Sequence, residues 1–240
     1  MHAATAALRE KTAPPGMETR HLRVGRTARW YSLGEPGPRT RQVWLACHGY
    51  GQLAARFLRR FESLDDGTRY MVAPEALNRF YIRPDPGPHG PGAPVGATWM
   101  TREDRLQEIE DYVGYLDALC GEVFRDVERE RVEFFAVGFS QGVATICRWA
   151  ARASVPPDRL ILWAGSLPDE LQTGPRLFGA ARVTLVLGDD DPYGRDGADG
   201  RLGVRLEEGG RPFDVVRFHG GHELDASVLR SLASRPDGSP

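Results

Sequence analysis

The chain has 240 residues, 41% of them hydrophobic and 27% charged, with a formal net charge of -2. This is the make-up of an ordinary globular domain, long enough to bury one full core. It excludes a strong overall field for nucleic acid or an anionic membrane surface, and no apolar run is long enough for a membrane-spanning helix.

From the N-terminus, residues 1–17 read as a flexible arm ended by Pro14, Pro15 and Gly16. An apolar signal-peptide core is missing there, so a cytoplasmic protein is expected. Residues 21–24 and 27–33, around Gly25-Arg26, suit an antiparallel hairpin at a sheet edge. Short runs at 43–47, 70–73, 134–137, 160–163, 183–187 and 213–218 are strand candidates, and several are nearly continuous in apolar residues, as suits strands buried on both faces of a parallel sheet. The clearest helix runs over 102–127, with Leu106, Ile109, Val113, Leu116, Leu119 and Val123 at helical spacing. Thr101 stands as its N-cap, with Asp104 three residues on. Further helices are predicted over 141–153, ahead of Pro156-Pro157, and over 224–233, and residues 234–240 read as a frayed tail. The alternation predicts one α/β domain over 18–233 with helices on both faces of a mostly parallel sheet.

One stretch breaks the rhythm. Residues 78–97 carry Pro84, Pro86, Pro88, Pro91 and Pro94 with Gly87, Gly90, Gly92 and Gly96. A connection of that length is either a wall of a binding site or a surface loop. Cys47, Cys120 and Cys147 are widely spaced in apolar surroundings and are expected as buried free thiols, not zinc ligands or a disulfide framework.

The chemistry centres on Gly138-Phe139-Ser140-Gln141-Gly142, which fits G-x-S-x-G between a strand and a helix. Such a turn holds the serine at a strained apex, its Oγ exposed, with amides of the helix N-terminus behind it. A serine hydroxyl needs a base. The downstream histidines are His219 and His222; His222, after Gly220-Gly221 and beyond the strand end, is the better placed. The orienting acid is expected in Asp189-Asp190-Asp191, after the strand at 183–187. A calcium loop is the rival reading of these aspartates, but the spaced ligands and terminal glutamate of an EF-hand are missing. An oxyanion hole needs two amides: one from Gln141, the residue after the serine, the other from the glycine-rich turn His48-Gly49-Tyr50-Gly51.

Together His48-Gly49-Tyr50-Gly51, Ala73-Pro74-Glu75-Ala76, the Gly138–Gly142 motif, Gly188-Asp189-Asp190-Asp191-Pro192 and Gly221-His222 resemble the small carboxylesterase/phospholipase family that includes the acyl-protein thioesterases. The resemblance implies an α/β-hydrolase fold and a Ser140–Asp191–His222 triad, selecting Asp191 over Asp189. It implies an oxyanion hole from the Tyr50 and Gln141 amides, and substrate contacts from His48, Gly49, Trp99 and Met100, with Trp99 lining an acyl site. From its chemistry alone Trp99 equally suits a core aromatic. The implied reaction is cofactor-free and metal-free hydrolysis of a small or medium acyl ester, with thioester or lysophospholipid cleavage as the alternative. A non-catalytic binding module on the same scaffold is the reading from a different class. Nucleic acid and stable membrane insertion are not expected as partners; a homodimer is left open. The chain departs from the family at Gln52, where aspartate is usual, and at Tyr193-Gly194-Arg195, which follows Pro192.

Overall fold

The computed structural model describes residues 16–82, 90–195 and 198–234. Most of the expected arm over 1–17 and tail over 234–240 therefore lies outside the described residues, as does the middle of the proline-rich stretch.

In chain order the elements are β1 (Trp30–Leu33), β2 (Gln42–Cys47), α1 (Ala54–Leu58) running into a 3-10 turn (Arg59–Leu64), β3 (Arg69–Pro74), β4 (Asn78–Tyr81), β5 (Val95–Thr98) and α2 (Arg105–Asp126). Then follow β6 (Glu133–Phe139), α3 (Gln141–Ala150), β7 (Arg159–Trp163), β8 (Arg182–Gly188), α4 (Pro192–Arg195), α5 (Ala198–Glu208), β9 (Phe213–Phe218) and α6 (Ala226–Ser234).

The main sheet has seven strands in the order β1-β3-β2-β6-β7-β8-β9, parallel except for β1, which lies antiparallel on β3. Strand residues alternate between two apolar layers. Val43, Leu45, Phe134, Ala136, Leu160 and Leu162 face a layer built with α2, α3 and α5. Trp44, Ala46, Phe135, Val137, Ile161 and Trp163 face a second layer built with α1, its 3-10 extension and α6. Burial on both faces is why these strands read as unbroken apolar runs.

The sheet positions the site through its strand order. From β2 the chain adds β3 on one side, then returns to place β6 on the other, with Cys47 opposite Gly138. The order therefore reverses between β2 and β6, and in open α/β sheets ligands bind beyond the carboxyl ends of strands at such a point. The loops leaving those two ends carry His48–Gln52 and Ser140.

Several boundaries differ from the sequence reading. The expected hairpin over 21–33 does not form: residues 17–29 have no strand pairing, and Trp30–Leu33 instead pairs antiparallel with Arg69–Pro74. Side chains hold the preceding stretch, with His21 2.9 Å from Asp104 and Arg26 bonded to Leu77 O and Asn78. Thr101 does not cap α2. Its amide donates to Glu108 at 2.5 Å, and Asp104, at a left-handed φ of 51°, stops the helix from starting earlier. Leu106, in the first turn, stays 53% exposed. The predicted helix over 141–153 ends at Ala150, and that over 224–233 runs Ala226–Ser234. The strands Asn78–Tyr81 and Val95–Thr98, which bracket the proline-rich stretch, form a two-stranded antiparallel ribbon. The three cysteines are free and buried.

Candidate active site

The G-x-S-x-G turn takes its shape from steric necessity. Ser140 sits between β6 and α3 at φ 55°, ψ -118°, a conformation that non-glycine residues rarely adopt. A Cβ on Gly138 would lie 2.4 Å from Gly142 O, and one on Gly142 would lie 2.1 Å from Cys47 O. Both glycines are thus required for helix and strand to meet this closely. The Ser140 amide donates to Trp163 O at 2.9 Å, tying the apex to the end of β7.

Three side chains from three separate loops converge there. His222 Nε2 is 2.9 Å from Ser140 Oγ, and His222 Nδ1 is 2.7 Å from Asp191 Oδ2. Asp191 is buried, and its second oxygen accepts the Tyr193 amide at 2.9 Å, so both carboxylate oxygens are engaged. The imidazole lies between two rings: Phe139, at 4.9 Å between centroids, which is buried, and Tyr193, at 4.8 Å, which is exposed. The neighbouring aspartates go elsewhere. Asp189 pairs with Arg217 at 2.8 Å and with the exposed His219 at 3.4 Å, and the Asp190 amide donates to Gly220 O.

Of the four amides from Gly49 to Gln52, three have acceptors. Gly49 donates to Gln52 Oε1 at 2.8 Å, Gly51 to Ala97 O at 2.9 Å and Gln52 to Gly49 O at 3.3 Å. Among the described residues the Tyr50 N–H has none. The same holds for Gln141, the first residue of α3, where amides have no acceptor within the helix. Tyr50 is exposed and Gln141 half-buried, so both amides are open to an acceptor from outside the protein, water included. Gly49 places this turn beside the serine: a Cβ there would stand 3.2 Å from Ser140 Cβ.

The residues expected to touch substrate are placed differently. His48 is fully buried; its Nδ1–H donates to Gly49 O at 2.8 Å and its Nε2 accepts the Ala76 amide at 3.1 Å. Burial pushes the pKa of this imidazole down, which fits an acceptor nitrogen. Trp99, 1% exposed, donates from Nε1 to His48 O at 2.8 Å. Both side chains are therefore core supports behind the turn and do not line an open cleft, because burial and hydrogen bonding already use their surfaces. Gly49 is buried, with its amide taken. Half-buried Met100 offers its carbonyl to Gln141 Nε2 at 3.0 Å.

The ribbon is part of this site's frame. Gln141 Nε2 donates to Thr98 Oγ1 at 2.9 Å, its Oε1 accepts the Trp99 amide at 3.2 Å, and the Ala97 amide donates to Gln52 O at 3.2 Å. The end of the proline-rich stretch thus joins the serine turn to the Gly49–Gln52 turn. Tyr50, 63% exposed, packs against Phe80 of the same ribbon, with ring centroids 5.2 Å apart and planes tilted by 31°. Sequence reasoning missed the roles of Gln52 and Tyr193; the one signal for them was that both depart from the family pattern beside a motif. Among the described residues no cluster of three or more His, Cys, Asp or Glu side chains is placed to hold a metal ion, and no helix is long and apolar enough to cross a membrane.

No protein-family model and no curated protein sequence matches the chain. Solved structures do. A carboxylesterase from Mesorhizobium loti aligns with a TM-score of 0.64 at 16% identity, over 87% of this chain and 95% of its own. Acyl-protein thioesterase 2 from Zea mays aligns with a TM-score of 0.60 at 15% identity, over 86% of this chain and 96% of its own. A Bacillus cereus carboxylesterase gives 0.60 at 16% identity, over 85% and 91%. Agreement over 86–87% of this chain and 95–96% of those two, on a mostly parallel sheet flanked by helices, makes this protein an α/β-hydrolase in fold.

Proposed function

We propose that the protein is a serine carboxylic ester hydrolase working through an acyl-enzyme. The observation that carries this is the single imidazole of His222 within hydrogen-bond reach of both Ser140 Oγ and the buried Asp191. In this reading Ser140 Oγ attacks the ester carbonyl while His222 Nε2 takes its proton. Asp191 holds the tautomer that keeps Nε2 ready to accept and stabilises the imidazolium. The Tyr50 and Gln141 amides receive the oxyanion, each such donor being worth roughly 3 kcal/mol in comparable sites. His222 then returns the proton to the leaving alcohol, and a water it activates releases the acid. The side chains supply nucleophile, base and orienting acid, so the reaction calls on no cofactor.

Thioester cleavage by the same residues is the second reading, favoured by the fold shared with a maize acyl-protein thioesterase. The test is labelling by a fluorophosphonate probe with mapping of the adduct, on wild type and Ser140→Ala, beside turnover of matched oxygen esters and thioesters of rising acyl length. One adduct per chain at Ser140, with turnover lost in the variant, is the expected result, and the ester-to-thioester ratio separates the two substrate classes. A folded Ser140→Ala protein that still turns over ester would sink both.

A further inference from the structure

Resting on that reading, we propose that Gln52 is the positioning residue of the oxyanion hole, its side-chain carbonyl setting which amide of the His48–Gln52 turn faces the reacting carbonyl. The turn has few ways to satisfy its own donors. The Gly51 amide goes to Ala97 O on the ribbon, and the Gln52 amide closes back on Gly49 O. What remains are the amides of Gly49 and Tyr50. They are adjacent, and only one of them belongs in the hole.

The Gln52 carboxamide resolves that choice. Its Oε1 accepts the Gly49 N–H at 2.8 Å, and a Cβ on Gly49 would stand 3.3 Å from the same oxygen and 3.2 Å from Ser140 Cβ. The bond therefore forms beside the serine, at a buried backbone position. A buried N–H without an acceptor is costly, so removing Oε1 leaves the turn a reason to rotate until Gly49 finds another acceptor. The Tyr50 amide shares a peptide neighbour with Gly49 and moves with it. Oxyanion donors act only within about 2.7–3.1 Å of the developing charge, and a 1 Å error in placement is enough to lose on the order of 100-fold in rate. His48 supports the turn from behind: its Nδ1–H also reaches Gly49 O, at 2.8 Å. The acceptor on the amide, however, is supplied by Gln52. The residue touches no reacting atom; it acts through the Tyr50 N–H.

The experiment compares Gln52→Leu, which removes the acceptor, with Gln52→Glu, which keeps an acceptor oxygen at the same reach. Steady-state hydrolysis of a short acyl ester is measured with kcat and KM separated, together with binding of an alkyl trifluoromethyl ketone, whose adduct with Ser140 carries an oxyanion. The expected result is a kcat lower by about 10- to 100-fold in Gln52→Leu with KM within about twofold, and ketone affinity falling by the same factor. Gln52→Glu should return kcat to within about fivefold of wild type, because the accepting oxygen is restored. If Gln52→Leu does not fold, Gln52→Met gives the same comparison, since it keeps the length of the side chain without the carbonyl oxygen. Unchanged kcat and ketone affinity in a folded acceptor-less variant, equal loss in Gln52→Glu, or a loss carried by KM alone would each overturn the proposal. A wild-type protein that neither hydrolyses esters nor labels at Ser140 would instead overturn the hydrolase reading itself, and this assignment with it.

Discussion

Gly188 and Gly220 meet backbone to backbone: a Cβ on Gly188 would lie 2.5 Å from Gly220 O and 2.6 Å from Gly221 O. The loop that carries Asp191 and the loop that carries His222 are thereby pressed together at their roots, and two hydrogen bonds lock them, Asp189 N–H to Phe218 O at 2.9 Å and Asp190 N–H to Gly220 O at 3.0 Å. Gly188→Ala forces these loops apart. The expected outcome is a fall in kcat of about tenfold or more, with Ser140 still in place at its own turn, since catalytic geometry tolerates little displacement. Ester kinetics beside far-ultraviolet circular dichroism check it; kinetics equal to wild type would show that the loops are held by something else.

Asp191→Asn keeps the volume of a fully buried side chain but removes the charge that faces His222 Nδ1. An amide also invites the wrong imidazole tautomer. Under the proposed mechanism kcat falls by on the order of 10⁴, with much less change in KM. Asp189→Asn, in a residue paired with Arg217 and His219, should leave turnover within a few-fold of wild type. Kinetics on the two variants test the assignment, and a larger loss at position 189 than at 191 would reverse it.

Two glycine-to-alanine changes should act in opposite directions. Gly142→Ala places a methyl 2.1 Å from Cys47 O, where α3 crosses the end of β2. Relief needs backbone movement, so a loss of about 2 kcal/mol or more is expected. For a chain of this length that lowers Tm by roughly 4–8 °C. Gly114 lies within α2, exposed, with nothing within 4 Å of a Cβ built on it. Gly114→Ala should stabilise by about 0.5–1 kcal/mol through helix propensity alone. Thermal unfolding of the two variants measures both signs.

Glu170 joins the segment after β7 to two helices, meeting Arg148 at 2.6 Å and Arg105 at 2.9 Å. Burial by itself would raise its pKa, yet the hydrogen bonds and charge of these guanidinium groups bring it down from the ordinary 4.5 to about 2. A depressed carboxylate contributes stability that is complete above its unfolded value and is lost as pH falls through the folded one. Wild type should therefore lose stability between about pH 4.5 and pH 2, while Glu170→Gln starts less stable at neutral pH and shows a flatter slope there. Urea midpoints along this pH series give the answer, and parallel slopes would remove Glu170 from the acid response.

Much of the fold was legible because its signals are local. A strand buried on both faces must be apolar throughout, and the five inner runs reappear within one or two residues at each end; the sixth, Phe213–Phe218, forms over the predicted residues but lies at the sheet edge, half-buried to exposed. The failures fall where neighbours distant in sequence decide. Trp30–Leu33 pairs with Arg69–Pro74, about forty residues away, and not with its predicted hairpin partner. The segment around the proline-rich stretch closes as a ribbon by pairing Asn78–Tyr81 with Val95–Thr98, and Ala97 docks it on the Gly49–Gln52 turn through bonds with Gly51 and Gln52. His48 and Trp99, which resemble substrate contacts by position, are turned inward: the His48 ring bonds Gly49 O and the Ala76 amide, and the Trp99 indole donates to His48 O.

The sequence by itself determined the elements that answer to short-range sterics: the strands, the main helices and the strained serine between two glycines that cannot be anything larger. It also narrowed the acid to three aspartates and the base to two histidines. Position along the chain favoured His222, and the family resemblance favoured Asp191; what the tertiary structure adds is the contact of their side chains with each other and with Ser140. Asp191, Ser140 and His222 sit 31 to 82 residues apart in sequence, and their meeting depends on the order of strands across the sheet and on loops packed against one another at Gly188 and Gly220. The same holds for the Tyr50 amide, which has no acceptor among the described residues while the amides on either side of it donate to Gln52 Oε1 and Ala97 O. Contacts of that kind leave no periodic trace along a chain, since they are set by which surfaces the folded sheet brings within reach.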